Sequence, residues 1–200
     1  MRWARYVFIG LLSITMLSSA VLAEAWVLGD SWGNSNDVYY TTTTALSAES
    51  VTAFGNANIA WNNVAGANKN IYRSGTNTQT DFLQNYQNDV TKTLVGSTGE
   101  LMRVRKYLNG YGTISEFDLR INTFYNWANS GTSGAYDVQN VATHEIGHAL
   151  WANDVYFSTQ VAPAYTLQYK DVTMYGYAYL GETKKRTLHQ DDIDGFSTVY

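Results

Sequence analysis

The segment that ends at Trp151 contains two histidines with a glutamate beside the first. His144, Glu145 and His148 form the pattern H-E-x-x-H. On an α-helix, residues four positions apart project from the same face with Cβ atoms about 6 Å apart, so both imidazoles can bind one metal ion. Glu145 is rotated by about 100° from His144, so it can reach a water on that ion without being a ligand. The pattern predicts a zinc hydrolase, in which two neutral imidazoles hold the metal and the carboxylate accepts a proton from water.

A catalytic zinc site of this kind needs a third protein ligand. Cysteine is excluded because the chain has none, which also excludes disulfides, thiol nucleophiles and iron–sulfur clusters. The residue types downstream of His148 leave several oxygen and nitrogen ligands open. They are Asp154, Asp171, Glu182, His189, Asp191, Asp192 and Asp194.

The stretch after His144 resembles the metzincin metallopeptidases, whose motif runs H-E-x-x-H-x-x-G-x-x-H and ends in Asp in one branch. The last position of that motif falls on Asp154 in this sequence. The resemblance therefore implies that His144, His148 and Asp154 bind Zn²⁺ and that Glu145 is the catalytic base of a zinc-dependent endopeptidase.

Two later segments extend the resemblance. Residues 172–175 (Val-Thr-Met-Tyr) are similar to the methionine-containing turn beneath the metal of these enzymes, and residues 188–196 are similar to the closing helix of the matrixin branch. The family builds the wall of its main specificity pocket just after that turn, so one of Tyr175, Tyr177 and Tyr179 is expected to line the pocket. The basic run Lys184-Lys185-Arg186 is expected to be a solvated turn.

Trp151 departs from the family pattern, because a glycine usually occupies its position and lets the chain turn out of the helix. If the helix continued, Asp154 would lie about 240° around the axis from His148 and face the wrong side. The helix must therefore end between Trp151 and Asn153. We expect Asn153 to provide a left-handed turn there, because asparagine tolerates that conformation best.

The elements around this segment indicate an α+β domain. Strands are predicted at residues 38–44, 71–73, 90–95, 101–108 and 117–122, and the strand at 101–108 is predicted to be exposed or at a sheet edge. Ser47 is expected to cap a helix, and Asp137 to cap the helix that carries the H-E-x-x-H pattern. The resemblance implies a zincin/metzincin-like fold: a twisted mixed sheet with an active-site helix and a C-terminal helix.

The first 25 residues have the composition of a secretory signal peptide: early arginines, an apolar run and an A-x-A pattern that ends at Ala25. We therefore expect residues 1–25 to be removed, leaving residues 26–200 as a single secreted catalytic domain. The net charge of −4 argues against nucleic-acid binding. We expect a monomer, without stable membrane insertion, that acts on protein or peptide substrates.

Two other interpretations remain open at this stage. In one, the protein is a secreted relative that binds metal but is catalytically weak, because Trp151 has spoiled the third ligand. In the other, it is a β-rich surface or carbohydrate-binding protein with an incidental H-E-x-x-H pattern. Binding of Ca²⁺ through Asp side chains and loop carbonyls is also open, with no ligands assigned.

Overall fold

The computed structural model of the chain describes residues 26–33, 36–155 and 169–200. The predicted signal peptide, residues 1–25, lies outside the described residues. The structure combines helices with a mixed sheet, which confirms the predicted α+β class. The helices are α1 (Ala48–Asn62), α2 (Val138–Leu150) and α3 (Gln190–Val199); the strands are β1 (Val27–Leu28), β2 (Val38–Thr43), β3 (Ile71–Asn77), β4 (Asp89–Thr93), β5 (Met102–Leu108), β6 (Ile114–Asn122), β7 (Trp127–Ala128), β8 (Tyr136–Asp137) and β9 (Ala152–Asn153). None of the helices in the described part of the chain has the length and apolar character needed to cross a membrane.

The main sheet has five strands in the order β3-β2-β4-β6-β5. The pairs β2–β3, β2–β4 and β4–β6 are parallel, and β5 pairs antiparallel with β6. The sheet is therefore mixed, as predicted. Strand β5 lies at the edge of the sheet, as the alternating sequence of residues 101–108 predicted. One side of the β5 backbone therefore has no neighbouring strand within the sheet.

Several predicted strand boundaries differ from the observed ones: β2 ends at Thr43, β3 continues to Asn77 and β5 begins at Met102. Strand β4 ends at Thr93 and does not extend to Val95, because the Val95 N–H donates to the Asn122 side chain at 3.1 Å and leaves the ladder. Strand β6 begins earlier than Phe117, because Ile114 already pairs with Leu108 across the hairpin.

Helix α2 is held against the core by contacts with Trp61 and Met174. The Trp61 indole of α1 donates to the Thr143 carbonyl at 2.8 Å. Gly147 allows a close approach on the same side, because a Cβ there would overlap Met174 Sδ and lie 2.8 Å from Trp61 Cζ2. Phe196 of α3 packs edge-on against Trp61, with ring centroids 5.2 Å apart. These contacts determine where the side chains of α2 point.

Candidate active site

The N-terminal end of α2 is determined by local sequence. Asp137 is its N-cap, and one carboxylate oxygen accepts a hydrogen bond from the Asn140 N–H at 2.9 Å. The guanidinium of Arg186 donates to the same carboxylate, with Nε 2.9 Å from Oδ1. Burial raises the pKa of Asp137, but the bonds from Arg186 and the backbone outweigh this and hold it below its usual range. The charged cap fixes the start of the helix that carries His144, Glu145 and His148.

The helix ends at Leu150, and Trp151 starts the change of direction. Trp151 has φ −167° and ψ −32°, and its N–H donates to the Gly147 carbonyl. A φ this close to 180° is extended backbone, which any residue adopts, so the position does not need glycine. The expectation that Asn153 provides a left-handed turn is wrong: Tyr86 is the only non-glycine described with positive φ, and Asn153 lies in β9.

The side chain of Trp151 explains why a bulky residue occupies this position. It is fully buried, with its ring centroid 5.7 Å from that of Trp26 and 6.4 Å from that of Phe196. The next two residues form β9, which pairs antiparallel with β1, Leu28 opposite Ala152. The helix exit is therefore held by core packing and by a strand from the beginning of the domain.

After this exit the chain returns towards the helix and brings Asp154 to the two histidines. Asp154 Oδ1 lies 3.2 Å from His144 Nε2 and 3.4 Å from His148 Nε2. The two Nε2 atoms are 3.1 Å apart. Among the described residues, these three form the only group of at least three His, Asp or Glu side chains whose ligand atoms all lie within 4.8 Å of one another.

Backbone carbonyls fix the orientation of both imidazole rings. His144 Nδ1 lies 2.8 Å from the Thr173 carbonyl oxygen, and His148 Nδ1 lies 2.9 Å from the Ala152 carbonyl oxygen. Since a carbonyl only accepts, each Nδ1 carries a proton, and each ring in its neutral form presents an unprotonated Nε2. Two nitrogen lone pairs and a carboxylate oxygen therefore face one another.

Such a group of acceptors fits a cation. Asp154 Oδ1 is buried, and no group in the described part of the chain donates a hydrogen bond to it. With both rings neutral, the three acceptors repel one another unless a positive charge lies between them. Two imidazole nitrogens and one carboxylate oxygen form a ligand set that zinc uses in catalytic sites. The carbonyl bonds at Nδ1 are the outer contacts that usually orient metal-binding histidines.

The electrostatics of the site favour the metal-binding forms of His144 and Asp154. Burial, together with the nearby charge of Lys185, lowers the pKa of His144 to about 4, so this ring is neutral at pH 7. Burial raises the pKa of Asp154, but the two histidines outweigh it and bring the pKa well below its usual range. A neutral imidazole and an ionised carboxylate are the forms that bind metal. His148 differs: burial lowers its pKa, but the hydrogen bond to Asp154 and the charges of Glu145 and Asp154 outweigh this and raise it, so a metal ion has to displace a proton from that ring.

Glu145 is buried and lines the same cavity as the three clustered residues, without belonging to their group. Burial raises its pKa to about 7; the charge of His148 opposes this rise and that of Asp154 adds to it. A carboxyl group with a pKa near 7 can accept and return a proton at neutral pH. A cation held beside it would lower this value.

The methionine-containing turn lies directly behind His144. Thr173, whose carbonyl orients His144, and Met174 are both fully buried. The Asp192 carboxylate of α3 accepts hydrogen bonds from the Thr173 N–H at 2.8 Å and from the Met174 N–H at 3.2 Å. The two segments that resembled metzincin motifs are thus joined to each other and to the ligand helix.

The other candidate third ligands are engaged elsewhere. Those on α3 act within the helix or on the turn: His189 is its N-cap, Asp191 lies beside His189, Asp192 binds the turn, and Asp194 accepts from Gln190. Asp171 pairs with Lys184 at 3.0 Å, and Glu182 accepts from the Tyr179 N–H. Asp154 is the candidate that the structure brings to the histidines.

A cavity of about 780 Å³ opens at the site. It is lined by residues of strand β5, by His144, Glu145 and His148 of α2, and by residues 176–178. Of the three tyrosines expected at this wall, Tyr177 lines the cavity, while Tyr175 is buried behind it and Tyr179 is 60 % exposed.

Lys185 contradicts the expectation of a solvated basic turn. Lys184–Arg186 forms a short 3-10 helix in which Lys185 is only 1 % exposed and lines the cavity. Its N–H donates to the Asn140 side chain at 2.8 Å, which draws the residue towards α2. The charge run gave no signal of this burial, because the partner lies on a distant helix.

Comparison with known proteins gives likeness at the level of structure. No family model and no curated protein matches the sequence. The solved structures that resemble the chain include high choriolytic enzyme 1, a hatching enzyme zinc-protease from the medaka Oryzias latipes, with a TM-score of 0.45 and 13% identity over 89% of this chain and 96% of that one. Myroilysin has a TM-score of 0.46 and 14% identity over 85% of this chain and 82% of that one. At such low identity, function has to be argued from the site itself.

Proposed function

We propose that this protein is a zinc-dependent endopeptidase of the metzincin type. The convergence of His144 Nε2, His148 Nε2 and Asp154 Oδ1 carries the proposal, because three ligand atoms within 4.8 Å of one another, on one buried and two half-buried residues, are placed to hold a cation. Glu145, in the same cavity, supplies a base that is not a ligand. The matrixin branch of the family is proposed on the turn at residues 172–175 and the helix at 188–196.

In this proposal His144, His148 and Asp154 hold the ion. Bound zinc supplies Lewis acidity, which lowers the pKa of water towards ~7 and stabilises negative charge on a peptide carbonyl oxygen. Glu145 accepts the proton of the attacking water and delivers it to the departing amine. The free edge of β5 pairs with the backbone of an extended peptide and aligns it across the cavity.

The cellular setting proposed for this activity comes from the sequence. The signal-peptide composition of residues 1–25 supports secretion, and the acidic net charge of −4 supports a protein or peptide substrate in preference to a nucleic acid. We propose that the enzyme acts as a monomer.

The test combines metal analysis with an assay on a quenched-peptide library. We expect one zinc per chain, cleavage of part of the library, and loss of cleavage on chelation that added zinc reverses. The His189→Ala variant is the control, because His189 caps α3 away from the cluster. A protein without stoichiometric metal would refute the proposal, and a fully zinc-loaded protein that cleaves nothing would favour the metal-binding, catalytically inactive alternative.

A further inference from the structure

Lys185 places a buried positive charge in the wall of the catalytic cavity. Its Nζ donates to the Tyr175 carbonyl and, at 2.8 Å, to the Tyr177 carbonyl. An ammonium group has three N–H donors, so these bonds leave one donor for another acceptor. Because Lys185 lines the cavity that also contains His144 and Glu145, that donor is close to where a substrate would lie.

The charge of this ammonium is not neutralised by an ion pair. Within the described residues, no carboxylate forms a salt bridge with Lys185. Glu182, Asp154 and Glu145 act on it at longer range. The Glu182 carboxylate itself accepts from the Tyr179 N–H and the Asn140 amide. Burial is the main reason that the pKa of Lys185 falls to about 8. A buried charge of this kind gains most from a carboxylate brought to it.

We propose that Lys185 is a specificity-determining residue that binds an acidic side chain of the substrate, Asp or Glu, next to the scissile bond. The inference rests on the proposed endopeptidase function and assigns a substrate class to the same cavity. The carboxylate accepts the remaining N–H of Lys185 in a charge-assisted hydrogen bond. Tyr177, whose carbonyl Lys185 also binds, lies in the same wall and packs against the side chain that enters.

A purely structural role for Lys185 predicts a different outcome. If the residue only holds the carbonyls of Tyr175 and Tyr177, removing its charge impairs the cleavage of all peptides to a similar degree. If it binds substrate, the removal changes the ratio between acidic and neutral peptides. The decisive quantity is therefore a ratio of two substrates measured on one protein.

The experiment uses zinc-loaded protein and sets of quenched peptides that differ in one residue. Asp, its neutral isostere Asn, or Leu is placed immediately before or immediately after the scissile bond. We expect kcat/KM for the Asp peptide to exceed that for the Asn peptide by about tenfold or more at one of the two positions. Lys185→Met should bring this ratio close to one, mainly through a higher KM for the Asp peptide.

Lys184→Met is the matched control. It removes the same charge from the adjacent residue, which is exposed, pairs with Asp171 and does not line the cavity. We expect this variant to keep the preference for Asp. Equal cleavage of Asp and Asn peptides by the wild type would overturn the inference while leaving the proposed function intact, even if Lys185→Met does not fold.

A binding measurement separates this inference from the proposed function. Fluorescently labelled Asp and Asn peptides are titrated with the Glu145→Gln variant, and anisotropy gives the two dissociation constants. We expect tighter binding of the Asp peptide, by about tenfold. If the wild type cleaves no peptide, the proposed function fails, and this titration still decides whether the cavity selects an acidic side chain.

Discussion

The Asp192 carboxylate of α3 binds the backbone of Thr173, the residue whose carbonyl oxygen holds the His144 ring, and so links the C-terminal helix to the proposed metal site. The Thr173 N–H donates to Asp192 at 2.8 Å, and the Thr173 carbonyl lies 2.8 Å from His144 Nδ1. Groups of this kind, one bond removed from a ligand, fix ring orientation and tune metal affinity.

Asp192→Ala is expected to weaken zinc binding by about 10- to 100-fold, because the turn that orients His144 loses its hydrogen-bond acceptor. Competition with a chelator of known affinity measures the change. Asp194→Ala is the control, since Asp194 is exposed on the same helix and its carboxylate accepts a hydrogen bond from Gln190. Unchanged zinc affinity in a folded Asp192→Ala protein would contradict the link.

Glu145→Gln is expected to keep zinc and lose about 10²- to 10⁴-fold in kcat, because the amide has the shape of the base but accepts no proton at neutral pH. Metal content and turnover of one quenched peptide are measured on the same preparation. Stability in urea checks the fold, and replacing the buried carboxyl should not lower it. Near wild-type turnover would exclude Glu145 as the base.

Asp154→Ala is expected to reduce zinc affinity strongly, and Asp154→His to restore much of it, because either side chain can occupy the third ligand position. His144→Ala and His148→Ala should each lose the metal as well. His189→Ala should bind zinc as tightly as the wild type, since its side chain caps α3. If His189→Ala loses zinc and Asp154→Ala keeps it, the ligand set is wrong.

The two histidines of the proposed ligand cluster could be predicted because the signal is local, whereas only the resemblance to the metzincin motif singled out Asp154 among the candidate third ligands. Spacing on one helix places His144 and His148 together, and a capping aspartate begins that helix. The helix exit could not be predicted in detail: Trp151 takes the place of a turn residue because Trp26, far away in the chain, provides a partner for its ring. Lys185 was wrongly expected to be exposed for the same reason, since a charge run does not indicate a distant partner.

Trp151→Gly is expected to destabilise the protein by about 3–5 kcal/mol, the usual range for emptying the site of a buried large aromatic side chain. The sequence alone suggested that glycine would ease the helix exit, but the extended φ of Trp151 gives glycine no advantage there. Urea unfolding of the zinc-free protein measures the loss, with Leu28→Ala as control because Leu28 is 57 % exposed. A variant as stable as the wild type would mean that the Trp151 ring contributes little to the core.

Binding of an acidic peptide should weaken at high pH if Lys185 recognises it. The pKa of Lys185 is about 8, lowered mainly by burial and by its neighbour Lys184, and raised in part by Glu182, Asp154 and Glu145. The interaction requires the ammonium form, so the preference for Asp over Asn is complete below this pKa. The preference is lost as the pH rises through the pKa that Lys185 has in the peptide complex. That pKa is higher than in the free protein, because the bound carboxylate favours the ammonium form.

The measurement is the ratio of dissociation constants for the Asn and Asp peptides on zinc-loaded Glu145→Gln protein from about pH 7 to pH 10. Because this variant lacks the Glu145 carboxylate, protonation of that group cannot contribute to the measured pH dependence. The Asn peptide gives the pH dependence of all other contacts. Adding Lys184→Met to the same variant removes the neighbouring charge that lowers the pKa of Lys185, so the loss of the preference for Asp should move to higher pH. A preference for Asp that persists unchanged to pH 10 would assign the recognition to a group that stays charged there, such as the Arg103 guanidinium on the cavity wall.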